Sequence, residues 1–198
     1  MKHTDASGKG PYHKYVHELE WPAEDWDAAT DTGRPSAGPF LPPSLFLNGN
    51  RWSVLNKHIE VFVIGEPCGT FPVEIDPEKP AAPPAYLFAD GDDESIELDM
   101  SKTAHSHRHQ EMYLFIGTDP KDPTDLGGEL ELWVGAGEFA EKLTITKSSC
   151  VVLPPGLVGH PMVFRRVDRP IVKVVVYDSP VLDLYPAGVL PPGFKASL

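Results

Sequence analysis

The segment Thr103 to Gly117 reads TAHSHRHQEMYLFIG and places His105, His107, His109 and Glu111 within seven residues. Imidazole nitrogen and carboxylate oxygen are together the donor set of non-haem Fe, Mn, Ni, Cu or Zn. Residues i and i+2 of a strand point to the same side, so His105 and His107 can share one ion. Glu111 cannot join them on a straight strand, because six residues span about 20 Å there. Metal–ligand bonds are only about 2 Å long. The chain must therefore bend, and Arg108, His109 and Gln110 are the place for it. Glu111 then opens a new strand with Tyr113 and Phe115 on its own side, and His109 sits at the corner. A polar strand end facing water accounts for a single His; it is a poor account of three alternating His followed by Glu.

Such a corner needs strands on both sides, and the sequence supplies them. From Ser44 onward, short runs rich in Val, Ile, Phe and Tyr alternate with Gly, Pro and Asp, the pattern of an all-β sandwich or barrel. Expected strands are Arg51–Leu55, His58–Ile64, Ala85–Ala89, Ser95–Met100, Glu111–Ile116, Glu129–Val134, Lys142–Thr146, Cys150–Leu153, Met162–Arg165 and Ile171–Tyr177. In GELELWVG, Leu130, Leu132 and Val134 share one face and Glu129, Glu131 and Trp133 the other, which is a half-buried strand. In MYLFI and VKVVVYD both alternating sets are largely apolar, so those strands are expected to be covered on both sides, by the N-terminal segment or by a second subunit. Residues 1–43 form a Pro-rich arm in which Trp21–Ala29 (WPAEDWDAA) suits a short helix, with Pro22 at its first position and acids in its first turn. Residues 44–198 form the β domain. Long helices are disfavoured by 22 prolines in 198 residues.

Beyond these residues the chain resembles the cupin superfamily, whose first motif runs G-x5-H-x-H-x3/4-E-x6-G and whose second runs G-x5-P-x-G-x2-H-x3-N. His105, His107 and Glu111 fall on the first motif's ligand positions, and Gly117 closes it one residue early. No Gly stands six residues before His105, where that motif opens. SSCVVLPPGLVGHPM matches the second motif in Pro154, Gly156 and His160, but His160 comes one residue late; Ser148 holds the position of the opening Gly and Phe164 that of Asn. The resemblance covers about Ala85 to Tyr177. It implies an all-β double-stranded β-helix, a jelly-roll barrel, with one divalent metal inside one end held by His105, His107, Glu111 and His160. Moving a strand residue by one turns its side chain to the other face, so His160 joins the set only if a bulge in the Gly156–Gly159 loop absorbs the extra residue. Otherwise two His and Glu111 remain, or His109 substitutes.

The implied chemistry is that of a non-haem metal oxygenase, with Fe(II) the first choice of ion and Mn, Ni, Zn or Cu as alternatives. Open coordination positions would take dioxygen and a small enolic, aromatic or carboxylate substrate; Phe115, Val151 and Leu153 supply an apolar wall. Tyr113 and His109 are the candidate acid–base groups. Two alternatives stay open: an isomerase or lyase that uses no O2, and a non-catalytic cupin that binds a small ligand. His3, His13, His17 and His58 read as surface residues, Cys68 and Cys150 as ordinary buried thiols, and Arg165, Arg166 and Arg169 as surface charges. Gly117–Gly128 reads as a solvated acidic loop rather than a lid. A formal charge of −12 disfavours nucleic acid and anionic membrane as partners. With no apolar stretch suited to a signal or a membrane span, a soluble cytoplasmic protein, and a homodimer, are the expectations.

Overall fold

The structure is a computed structural model, and it describes residues 45–48, 55–73, 85–90, 104–180 and 183–186. Twelve strands are described: β1 (Leu45–Asn48), β2 (His58–Ile64), β3 (Cys68–Val73), β4 (Ala85–Asp90), β5 (His105–Ser106), β6 (Glu111–Gly117), β7 (Asp125–Val134), β8 (Glu141–Lys147), β9 (Ser149–Leu153), β10 (Gly159–Val167), β11 (Ile171–Tyr177) and β12 (Tyr185–Pro186). One 3-10 turn, Gly137–Phe139, is the only helical element among the described residues. The strands pair antiparallel in two sheets. The first runs β1-β2-β11-β6-β9, and the second runs β12-β5-β10-β3-β4 with β7 against β10 and β8 against β7. Neighbours far apart in sequence, such as β2 beside β11 and β3 beside β10, make this an all-β jelly-roll barrel.

The inner face of the first sheet is graded along its length. Inward residues run His58, Glu60, Phe62, Ile64 on β2, Glu111, Tyr113, Phe115 on β6, and Tyr177, Val175, Lys173, Ile171 on β11. At the apolar end Phe62, Ile64, Phe115 and Ile171 meet Leu126, Leu130, Leu132, Met162 and Phe164 of the second sheet in one core. At about 25 cal/mol per Å2 of apolar surface removed from water, that end holds the sheets together; the polar end is where chemistry is affordable. Gly117 is required at its place, because a Cβ there would lie 1.8 Å from the Asp125 carbonyl oxygen, where β6 passes β7.

Several expectations are corrected. Within this single chain Met112, Leu114, Val172, Val174 and Val176 on the second faces of β6 and β11 are half-buried and Ile116 is exposed; the N-terminal segment expected to cover them lies outside the described residues. Trp133 and Glu129 are half-buried rather than exposed, and Glu131 is buried. His58 is fully buried, because Tyr177 pairs opposite it and turns that alternating set inward. Cys150 is exposed on the outer face of β9 and Cys68 is half-buried. The segment CGTFPV forms β3 although it contains Pro72; β10 pairs with Cys68–Thr70, so among the described strands Pro72 is paired by β4 alone. β7 begins at Asp125, so the acidic loop is Thr118–Thr124. It lies at the Gly117 end of β6, about 20 Å from Glu111 along the strand, too far to cover that residue. The arm at 1–43, the helix at Trp21–Ala29 and the strand Ser95–Met100 lie outside the described residues, as does Arg51–Leu55 except for Leu55, which is not in a strand.

Candidate metal centre

The chain turns at Arg108 and His109, between β5 and β6, and the backbone there is anchored from three sides. The Gly156 N–H donates to the His107 carbonyl at 2.8 Å, the Asp178 N–H to the Gln110 carbonyl at 2.9 Å, and the Arg108 N–H to Asp183 Oδ1 at 3.1 Å. A bend held this way carries His105 and His107 across to the start of β6, where Glu111 opens the strand. His105, His107, Glu111 and His160 are all buried. The His105 ring lies 5.0 Å from that of His107 and 4.4 Å from that of His160, centroid to centroid. His107 Nε2 lies 3.4 Å from Glu111 Oε2.

His160 enters the cluster through a bulge, although not in the glycine loop where the sequence suggested it. The ladder between β10 and β7 pairs Gly159 with Val134 and then Met162 with Leu132, so His160 and Pro161 together face one residue, Trp133. The irregularity sits on His160 itself, whose φ is 67°. That region costs an L-residue about 1–2 kcal/mol. Here it aims the imidazole inward.

The donor atoms themselves test whether a cation fits. His107 Nδ1 hydrogen-bonds the carbonyl oxygen of Asp183, which can only accept, so Nδ1 carries a proton. Nε2 therefore faces the Glu111 carboxylate with either a second proton or a lone pair, and a lone pair there is repelled unless a cation stands between. Neither His107 Nε2 nor either Glu111 oxygen has a hydrogen-bond partner, although all three are buried. A backbone carbonyl on the far nitrogen of a ligating imidazole is the usual way a metal-binding tautomer is set. Donor chemistry and orphaned atoms thus fit a divalent metal. The four side chains gather without converging: as placed, no group of three or more His, Cys, Asp or Glu among the described residues has the geometry to hold an ion.

The two candidate acid–base residues separate. Tyr113 is fully buried on the Glu111 face of β6, with its hydroxyl 3.3 Å from His160 Nδ1. His109 is half-buried at the bend, beside exposed Asp178, whose carboxyl is lowered chiefly by a hydrogen bond from Lys57. The wall residues Phe115 and Leu153 are buried and Val151 packs against them. Arg165 is engaged by Glu131 at 2.9 Å, Arg166 by Asp168 and Arg169 by Asp125.

The structure adds groups that the sequence did not mark. Asp183 and Tyr185 strap over the bend, with Arg108 Nη2 donating to the Tyr185 hydroxyl at 2.8 Å. Buried His58 lies 3.0 Å from Glu60. The buried Lys173 ammonium stands 4.5 Å over the Phe62 ring and 5.6 Å from that of Tyr113. The signal for His58 and Glu60 was present, since they share an alternating set with Phe62 and Ile64, but Ile59, Val61 and Val63 form an equally apolar rival set.

No protein-family model and no curated sequence matches this chain. Solved structures that resemble it include Bacillus subtilis oxalate decarboxylase studied for its Mn(II) centres, at 10% identity and TM-score 0.42 over 72% of this chain and 27% of that one. A two-residue deletion variant of the same enzyme matches at 8% identity and TM-score 0.44, over 87% of this chain and 32% of that one. The chain thus spans about a third or less of the length of these proteins. No helix among the described residues is long and apolar enough to cross a membrane.

Proposed function

We propose that this chain is a metal-dependent cupin enzyme acting on a small molecule, with His105, His107, Glu111 and His160 as the ligands of one divalent transition metal. The observation that carries this reading is the buried face-off between His107 Nε2 and the Glu111 carboxylate, three donor atoms without a hydrogen bond beside two further imidazoles. An ion bound there would act as a Lewis acid toward a substrate oxygen and, if Fe(II), would also be competent for O2 chemistry. Glu111 supplies the negative charge that offsets the ion. Phe115, Val151 and Leu153 form an apolar wall that favours an enolic, aromatic or carboxylate substrate of modest size and limits water. Tyr113, hydrogen-bonded to His160, positions that ring and can pass a proton at its hydroxyl.

An oxygenase is the first form of this reading, with iron as its ion. The second, an isomerase or lyase that uses no O2, is favoured by the number of buried groups able to carry a proton, Tyr113 and His58 among them. Elemental analysis of the purified protein beside a His105→Ala, Glu111→Ala double variant tests both at their root. About one transition-metal ion per chain in the parent and none in the variant is the expected result. Iron or copper directs the next assay to O2 uptake, and zinc, manganese or nickel to isomerase and lyase substrates. A parent that stays metal-free after anaerobic reconstitution with Fe(II) and with Mn(II) overturns the reading. The soluble cytoplasmic homodimer belongs to the same proposal, with sedimentation velocity as its check.

A further inference from the structure

Every outward residue of β2, β11 and β6 is Val, Ile, Leu or Met, in a chain whose formal charge is −12. Exposure is concentrated at one end of this outer face. Val172 pairs with Val63 on one side and with Ile116 on the other, so the three make one cross-strand row. In that row Val63 is 52% and Ile116 40% exposed, whereas the other outward residues of these strands are half-buried. Single exposed apolar residues are ordinary on a protein surface, but a charge-free face several strands wide marks a contact.

The size of the face and the course of the chain select what makes that contact. Three strands about 4.8 Å apart, with outward residues over about 17 Å of their length, give on the order of 250 Å2. A stable interface between two proteins needs roughly 800 Å2 from each partner. A segment of the same chain is under no such requirement, because its tether already holds it close by. β1 lies beside β2 at the edge of this sheet, with Leu45 opposite Val61 and Asn48 opposite His58, so the chain leading into Leu45 arrives from the Val63 end. That chain reads PFLPPS over residues 39–44. Pro42 and Pro43 have no N–H to donate to a further ladder, and Phe40 and Leu41 stand just ahead of them. At about 3.3 Å per residue, the four or five residues back from Leu45 reach roughly 13–17 Å, enough to cross β2 and β11 and come to β6.

We propose that the row Val63, Val172 and Ile116 is the docking site for residues 39–43 of the same chain, with Phe40 and Leu41 as the side chains that seat on it. Pro39, Pro42 and Pro43 restrict the backbone on both sides of that pair, which lowers the entropy lost on docking. The inference is independent of the metal-centre reading, because Glu111 stands at the other end of β6 from this row and on the opposite face. It makes this part of the outer face an intramolecular contact, so a homodimer has to use another surface.

Thiol labelling tests it on the full chain. In a Cys150→Ser background, iodoacetamide labelling is followed at I116C and, for comparison, at E66C, an exposed position between β2 and β3 and off the face. Each is made with and without F40S and L41S and measured at protein concentrations spread over about 100-fold, since only a contact between copies responds to concentration. Peptide mass spectrometry reads each thiol separately. I116C is expected to react about tenfold or more slowly than E66C, at a rate that does not change with concentration, because labelling waits for local opening. F40S with L41S is expected to remove the difference and leave E66C unaffected. V63C repeats the measurement on β2 should I116C perturb the fold. Protection that grows with protein concentration assigns the face to a second copy and overturns the proposal. Protection that survives F40S with L41S overturns it as well, and so does an I116C thiol that reacts as fast as E66C.

Discussion

At the residue scale, Glu111 is a carboxylate placed where metal-free protein has little use for it. Both oxygens are buried without hydrogen bonds, one of them 3.4 Å from His107 Nε2. In Glu111→Gln the amide can donate to Nε2 and the buried charge is gone. The metal-free variant is therefore expected to be more stable than the metal-free parent by about 1 kcal/mol, the scale of one recovered hydrogen bond. Urea denaturation after chelation measures it, and a variant less stable than the parent shows that the carboxylate was paired with a protonated His107 instead. The two thiols contrast in the same way. Burial pushes the Cys68 thiol up from 9.0 to about 11, with Lys173 opposing and Glu66 adding to the shift. Its thiolate is about a hundredfold scarcer than that of an ordinary cysteine near neutral pH. Cys150 is exposed. Iodoacetamide followed by peptide mass spectrometry is expected to label Cys150 in the folded protein and Cys68 only on unfolding; early labelling of Cys68 contradicts the burial on which the shift rests.

At the scale of elements, the site depends on a strap with no regular period. β12 pairs with β5 through Tyr185 and Ser106, and the Asp183 carboxylate takes the Arg108 N–H while its carbonyl receives His107 Nδ1. Asp183→Ala keeps the backbone carbonyl that holds His107 but removes the carboxylate that takes the Arg108 N–H, and by loosening that corner it is expected to weaken metal binding by about 10-fold, the low end of the range for an outer-sphere group. Tyr185→Phe, which loses only the hydrogen bond from Arg108, is expected to do less. Competition with a chelating dye reads both, and an Asp183→Ala protein that binds as tightly as the parent removes the strap from the site. On the second sheet Glu131 joins three strands, accepting from Lys142 of β8 at 2.7 Å and from Arg165 of β10 at 2.9 Å. Partial burial raises its carboxyl, and these two hydrogen bonds with their charges outweigh that, so its net pKa is lowered. A lowered folded-state pKa contributes stability that is present above the unfolded value of about 4.3 and is lost as pH falls through the folded one. Glu131→Gln is expected to cost about 1 kcal/mol at pH 7, discounted because Lys142 and Arg165 are partly exposed. The difference should fade as urea melts are taken down in pH below the carboxylate range; a difference that persists in acid assigns the effect to packing.

For the whole molecule, what was legible in the sequence and what was not divide along the range of the interactions. Period-two alternation located β2, β6, β9 and β11 to within a residue or so, and the length of an extended chain required the bend at Arg108–Gln110, because both facts are local. His58 was misread because only pairing with β11, far along the chain, decides which half of HIEVFVI faces inward. The strap was beyond reach, since two residues carry no period, and so was the bulge at His160, which the Gly156–Gly159 loop drew to the wrong place. All three misread features border the candidate site, where local preference yields to function. The polar end of the barrel holds buried Glu111 and His107 with donor atoms unsatisfied, so the metal-free fold carries a penalty that an ion would relieve. A ligand that binds only the native state stabilises it by about 4.1 kcal/mol at a thousand times its Kd. A chain of this size gains roughly 2–4 °C in Tm for each kcal/mol, so metal-loaded protein is expected to melt roughly 8–16 °C above chelator-treated protein. Glu111→Gln, without the carboxylate ligand, should show no such gap. Differential scanning calorimetry of both proteins, with Mn(II) or Fe(II) under anaerobic conditions and again with chelator, reads the gap directly. A parent whose Tm is the same in both conditions means that the buried donors are satisfied from within the protein, and the cluster is then a structural feature rather than a metal centre.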